Sequence, residues 1–370
     1  MVARKISREL DKIRVIRSKV RRLIEERSDL FHIGVAGEPL KLCFEAVDSG
    51  FTAPAIELLG GYLAVINVVS VRYGSTCSRT QVSARTHVNL WFNEDETGLM
   101  AKVLERKRAL ELLEARRLAL EMLGGKPLFD VLLLDGEIAP RITYTVEHGR
   151  LRRNLEKFIN LSRKLVESAL SSATPVVGVL KRSYARDIAV TLGLTDIRIN
   201  DRVLMSLALK PGEYLIVKRS EEGVYGSLSR ALREIGKSVE DAEIKRWVNS
   251  RLKWYEGLMS ALGDKAREIG LGFYRPPGTL YPVATKVEYV VPEDFSIEKL
   301  FSSIMYISTS TGIPAPIDQA DALSAVTREL RHIVYEKLKA EVAGNLGVED
   351  RDLLLVLSLM NPEKLLHLIG

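Results

Sequence analysis

The sequence predicts an α/β fold: one mixed sheet core with flanking helices and a helical elaboration. Three observations carry this expectation. The short apolar runs 42–47, 131–134 and 176–180 have the length and composition of buried strands. The β-branched runs 62–73 and 86–92, set off by glycine-containing gaps, read as antiparallel neighbours. Helical patterns at 98–123 and 151–172 fall between the strands, so strands and helices alternate around one sheet.

Taken in order, residues 4–27 form a charged helix. Ile6, Leu10, Ile13, Val20 and Ile24 make its apolar stripe, interrupted by Arg17. A solvated helix packed on the body, a subunit contact and an arm facing a polyanion all fit this pattern. Gly124-Gly125 closes the helix at 98–123. An extended stretch from 191 leads through Asp196 to a helix at 202–208, and Lys210-Pro211-Gly212 turns into a strand at 214–218. Helices follow at 225–235 and 241–263, then the Pro/Gly segment 275–278, a strand at 285–291 and a helix at 296–310. Residues 311–316 read as a rigid loop, 320–343 as one long helix closed by Gly344, and 349–358 as the last helix. No linker stands out. The expected organisation is a helix at 1–30 and a single domain at 31–370, with a helical insertion at about 220–270.

The net charge of +6 and pI near 9.1 favour a polyanionic partner. No apolar run reaches the roughly 18 residues of a membrane span, and the start is charged, so a soluble, cytoplasmic protein is expected. Two cysteines, Cys43 and Cys77, are too few for a metal knuckle or a disulfide framework. The five histidines lack the His-Glu-x-x-His spacing of a zinc site, and no P-loop or Gly-x-Ser-x-Gly motif is present.

Two aspartates stand out. Asp48 and Asp135 each end an apolar run and are followed by Ser-Gly or Gly. Each alone suits a turn cap. Together, at the ends of two buried strands, they suggest a shared cation site at one sheet edge. Magnesium or manganese prefers such hard oxygen ligands. The helix at 98–123 offers Glu105, Glu111, Glu114 and Glu121 as a further donor. Glu114, beside Leu112, Leu113 and Leu118, suits either an inward-facing donor or a surface salt bridge with Arg117 or Arg108, and Glu111 shares its face. Asp201 suits either a helix N-cap or another ligand. Lys181, at the end of the strand 176–180, suits a phosphate contact. Trp254 and Tyr255, with Arg251 and Lys253, fit a core helix better than a base-stacking surface.

These segments resemble, in order, the motifs of the archaeal and bacterial NurA nucleases. Residues 46–50 look like the family's first motif, 133–138 the second and 177–183 the third. Residues 201–214 look like the fourth and 312–316 the fifth. Three positions depart from the family pattern. Ser49-Gly50 is inverted, Glu137 replaces a small polar residue, and Asp321 stands where a histidine is expected. The resemblance implies a ribonuclease-H-like core and manganese-dependent DNA cleavage, with magnesium as the other candidate and two ions at the site. It implies a single-strand endonuclease and 5′-to-3′ exonuclease acting on single- and double-stranded DNA ends in end resection. The implied assembly is a homodimer docked on a HerA-type hexameric ATPase, with no membrane involved. The site residues it implies are Asp48, Glu114 (with Glu111 in reserve), Asp135, Lys181, Asp201 and Asp321, with Asp48, Glu114, Asp135 and Asp201 as metal ligands. The alternative reading is a catalytically weakened or inactive scaffold for the same ring ATPase.

Overall fold

Three parallel strands near the middle of a ten-stranded sheet organise the protein. The computed structural model describes residues 2–53, 55–91, 96–122, 127–140, 150–195, 199–279, 283–345 and 358. The chain begins with α1 (Val2–Glu26), β1 (Phe31–Val35), β2 (Cys43–Phe51), β3 (Ile56–Leu58), β4 (Gly61–Gly74) and β5 (Gln81–Trp91). Next come α2 (Glu96–Met122), β6 (Val131–Asp135), α3 (Arg150–Ser171), β7 (Val176–Leu180), α4 (Asp187–Thr191) and α5 (Asp201–Ala208). Then follow β8 (Glu213–Val217), α6 (Gly223–Ser238), α7 (Ala242–Leu262), α8 (Lys265–Glu268) and β9 (Gly270–Tyr274). The described chain continues through β10 (Thr285–Val290), α9 (Ile297–Tyr306), α10 (Ala315–Ser324) and α11 (Arg328–Asn345).

The sheet runs β1-β8-β9-β10-β7-β6-β2-β4-β3, with β5 on β4. β2, β6 and β7 pair in parallel; every other pair is antiparallel. Parallel strands lie buried on both faces, so they appear in sequence as unbroken apolar runs. Residues 131–134 and 176–180 are such runs, and all are buried. Side chains alternate between the two faces. Val47, Leu132, Leu134 and Val176 pack against α1–α8 on one side. Phe44, Ala46, Leu133, Val177 and Val179 pack against α9 and α10 on the other. Tyr335 of α11 covers Leu58 and Leu63 in a third, smaller cluster.

The mixed sheet with flanking helices is the fold class expected from sequence. Several details differ. β2 does not stop before Asp48 but continues to Phe51, because the β4 ladder continues through Asp48↔Val69 to Phe51↔Ile66. The single helix expected at 320–343 is two helices, with residues 325–327 between α10 and α11. The segment 311–316 is not all loop, since Ala315 and Pro316 form the first turn of α10, where proline is tolerated. β1, β3, β9, α4 and α8 are additional elements. Ser358 apart, the helix expected at 349–358 lies outside the described residues, as does the Asp196 turn.

Cys43 and Cys77, too few for a framework, form a single disulfide. The β2–β4 ladder pairs Cys43 with Gly74, and the turn after Gly74 brings Cys77 back to a Cα separation of 4.9 Å. A bridge with a sequence separation of 34 residues restrains the unfolded chain by about 3–4 kcal/mol. Cys77→Ser should therefore lower the unfolding free energy by about that amount in oxidising denaturant titrations. Coincident wild-type and mutant transitions would remove the bridge from the stability account.

Candidate metal centre

The parallel register of β2 and β6 builds the site. It aligns Val47 with Leu134, so Asp48 and Asp135 emerge side by side at the same end. β7 aligns Val179 with Asp135, which places Lys181 two residues further along the adjacent strand. α10 lies across this end, anchored by the fully buried Ile317 and Ala320. Burying an isoleucine contributes about 1.5–3 kcal/mol, enough to matter for so short a helix. The helix also needs Gly50: a Cβ there would stand 2.2 Å from the Ser324 carbonyl oxygen. Asp321 and Ser324 lie one turn apart on α10. The Ser324 hydroxyl donates to Asp48 Oδ2 at 2.6 Å, and carboxylate oxygens of Asp48, Asp135 and Asp321 lie within 4.8 Å of one another.

Such crowding has an electrostatic cost. Burial and the neighbouring Asp48 push the Asp135 carboxyl up to about 7, although Lys181 and Lys102 act in the other direction. The Lys181 ammonium bridges Asp135 Oδ2 at 3.0 Å and Asp321 Oδ2 at 2.7 Å. Burial alone would lower its pKa, but the two carboxylates outweigh that and raise it. A positive group thus already sits among the acids. Oxygens that share one small divalent ion stand about 4.2 Å apart at most. The three oxygens, within 4.8 Å of one another, would have to draw closer to share magnesium or manganese. The donor set is all hard oxygen, which suits those ions.

The α2 carboxylate that comes near these acids is that of Glu105, not Glu114, although it is not one of the three clustered groups. Glu105 is fully buried; its Oε2 accepts from Ser49 Oγ at 3.0 Å and from Lys102 Nζ at 2.9 Å, and its Oε1 from Arg106 at 3.1 Å. Burial raises its pKa; Lys102 and Arg106 oppose the rise, and nearby Asp48 adds to it. Glu114 instead lies exposed and is paired with Arg117 at 2.7 Å. Nine residues at about 100° each put Glu114 on the side of α2 opposite Glu105. Glu111, the reserve, is bound to Arg85 and Arg108 at the surface.

Asp201 is also absent from the cluster. It is buried, and its Oδ1 accepts the Ile188 and Ala189 amides at 3.0 Å each, so it caps the start of α4. The N-cap of α5 is Asn200. Burial and the adjacent Asp187 raise Asp201 to about 7. Tyr255 is buried as expected, and Arg251 pairs with Asp187 at 2.6 Å while stacking on Trp254.

Apart from Gly136, expected as a turn residue, sequence reasoning missed the residues that hold the loops. Gly136 turns the chain away from Asp135 with φ +122°, a conformation that disfavours other residues. Lys102 Nζ donates to the Asp135 carbonyl at 2.7 Å. The buried Glu288 carboxylate accepts the Ile138 and Ala139 amides at 2.7 and 2.8 Å. Arg202 donates to the Lys181 carbonyl. One signal was available: a glutamate inside the strand pattern 285–291 is out of place unless it serves buried amides.

A family model described as the NurA domain matches residues 45–326. The crystal structure of the NurA nuclease from Sulfolobus solfataricus is similar, with a TM-score of 0.53 at 15% identity, over 94% of this chain and 98% of that one. A crystal structure of NurA with manganese gives a TM-score of 0.50 at 13% identity, over 92% of this chain and 97% of that one. At such identities these two structures speak to the fold alone. No curated protein matched the chain. The matched segment contains Asp48, Glu105, Asp135, Lys181 and Asp321, and covers most of the chain: it belongs to the NurA domain family.

Proposed function

We propose that the protein is a manganese-dependent deoxyribonuclease. The observation that carries this reading is the convergence of Asp48, Asp135 and Asp321 beside Lys181, in a chain of the NurA domain family. Asp48, Asp135 and Asp321 are the proposed ligands. Bound there, a divalent ion would supply the Lewis acidity that phosphodiester hydrolysis needs. Manganese is the favoured ion because a related structure contains it and the donors are hard oxygens. Three carboxylates less one ammonium leave two negative charges, which match one divalent ion. Glu105 is already engaged by Lys102 and Arg106, so charge balance argues for one tightly held ion rather than two.

The chain's own groups have distinct tasks in this proposal. Ser324 orients Asp48 through its hydroxyl. Lys102 links the Glu105 carboxylate to the Asp135 backbone. Lys181, which bridges Asp135 and Asp321, would offer its ammonium to a phosphate oxygen beside the ion. Asp321 cannot act as the cation that a histidine would supply, and Lys181 takes that electrostatic role. The proposal includes sequence-independent action on DNA ends, as a homodimer with a HerA-type ATPase, supported by family membership.

Asp48→Ala and Asp135→Ala should abolish manganese-dependent cutting of 5′-labelled single-stranded DNA while the circular dichroism spectrum is retained. Glu114→Ala should cut like wild type. Full activity in either aspartate variant would remove the site assignment. No cutting by folded wild type, alone or with the ATPase, would favour the scaffold reading.

A second outcome concerns pH. Asp135 carries a proton below about 7 in the metal-free protein, so ion binding must release it. Apparent manganese affinity should rise with pH by up to about tenfold per unit below 7 and flatten above. Asp135→Asn should remove the slope. Isothermal titrations giving one affinity from about pH 5.5 to 7.5 would contradict this account.

A further inference from the structure

The segment that follows β7 carries an aromatic ring that the fold does not use. Tyr184 is 87% exposed, the highest value among the large apolar side chains described. Neither its ring nor its hydroxyl has a partner among the described residues. Arg182 is likewise exposed and makes no ion pair among the described residues. The backbone around them is firmly held. The Lys181 carbonyl accepts from Arg202, Ser183 is buried, and the Ala185 carbonyl accepts from the Asp201 amide at 2.8 Å. Burial alternates along the segment: Lys181 and Ser183 turn inward, Arg182 and Tyr184 outward.

Tyr184 lies three residues from Lys181, whose ammonium touches two of the carboxylates. Three residues span at most about 10 Å. An exposed ring on an already ordered backbone, beside an unpaired guanidinium, combines the two groups that proteins use to hold single strands: a stacking face and a phosphate contact. We propose that Tyr184 stacks on a base of single-stranded DNA and that Arg182 binds the neighbouring phosphate, so that the strand lies across the carboxylate centre. This rests on the nuclease reading and assigns the two side chains that would hold the unpaired strand. A duplex hides the faces of its bases, except at its ends. The ring's exposure also means that removing it leaves the fold intact.

The test is an anisotropy titration of fluorescein-labelled oligo-dT in EDTA, where nothing is cut. Tyr184→Ala should weaken binding on the order of tenfold or more, while Tyr184→Phe binds like wild type. Binding of the Ala variant to an internally labelled, hairpin-capped duplex should not change. Arg182→Ala should weaken both DNAs and reduce the salt slope by about one. Wild-type affinity for oligo-dT in Tyr184→Ala would overturn the proposal, as would an equal loss in Tyr184→Phe. The nuclease reading fails separately: cleavage assays with Asp48→Ala judge it, and this titration involves no cleavage.

Discussion

The parallel pairing of β2 with β6 forces two carboxylates together, and the rest of the centre answers that constraint. Like charges on adjacent strands repel strongly when partly buried. The chain relieves the repulsion in three ways. Lys181 bridges two of the acids, Ser324 donates to a third, and Asp135 shifts toward its protonated form. A site built only for stability would not assemble three acids and then compensate for them. This excess of negative charge is what a divalent cation would neutralise.

The legible parts of the fold were those set by strong local pattern. The buried runs 131–134 and 176–180 are unbroken apolar stretches, and their strands match the expected ones to within a residue. β9 was not legible, because Gly270 and Gly272 give it little strand propensity; its place comes from pairing with β8 and β10. The break between α10 and α11 was equally hidden, since no proline or glycine marks 325–327. At the site, Asp48, Asp135 and Lys181 were readable because each stands at the end of an apolar run. Glu105 was not legible, because the leucines beside Glu114 give that position the stronger apolar context. The better signal was the small-residue face of α2, where Ala101 and Ala109 flank Glu105 at four-residue spacing and leave room for its carboxylate.

A second set of acids works out of sight of solvent. Glu288 and Asp201 each bind two consecutive backbone amides, one behind the β6 loop and the other just beyond the β7 loop. Asp187, next to Asp201, is neutralised by Arg251 through two 2.6 Å contacts. Buried carboxylates are costly unless satisfied in this way. Their arrangement shows why the segments around Asp135 and Lys181 keep their shape although glycine and exposed residues interrupt them. It also separates two uses of the same residue type: acids facing amides set the loops, and acids facing one another form the candidate cation site.

The bridge between Cys43 and Cys77 has a meaning beyond stability. A strand that slips by one residue turns every side chain to the opposite face. For β2, that slip would swing Asp48 out of the layer shared with α10 and into the layer of α2. The covalent link fastens the first residue of β2 to the turn that ends β4, and Asp130 ties the same residue to the start of β6 through the Cys43 amide at 2.7 Å. Four residues lie between that anchor and Asp48. The bridge therefore acts as a ruler, fixing how far along the sheet the carboxylate emerges.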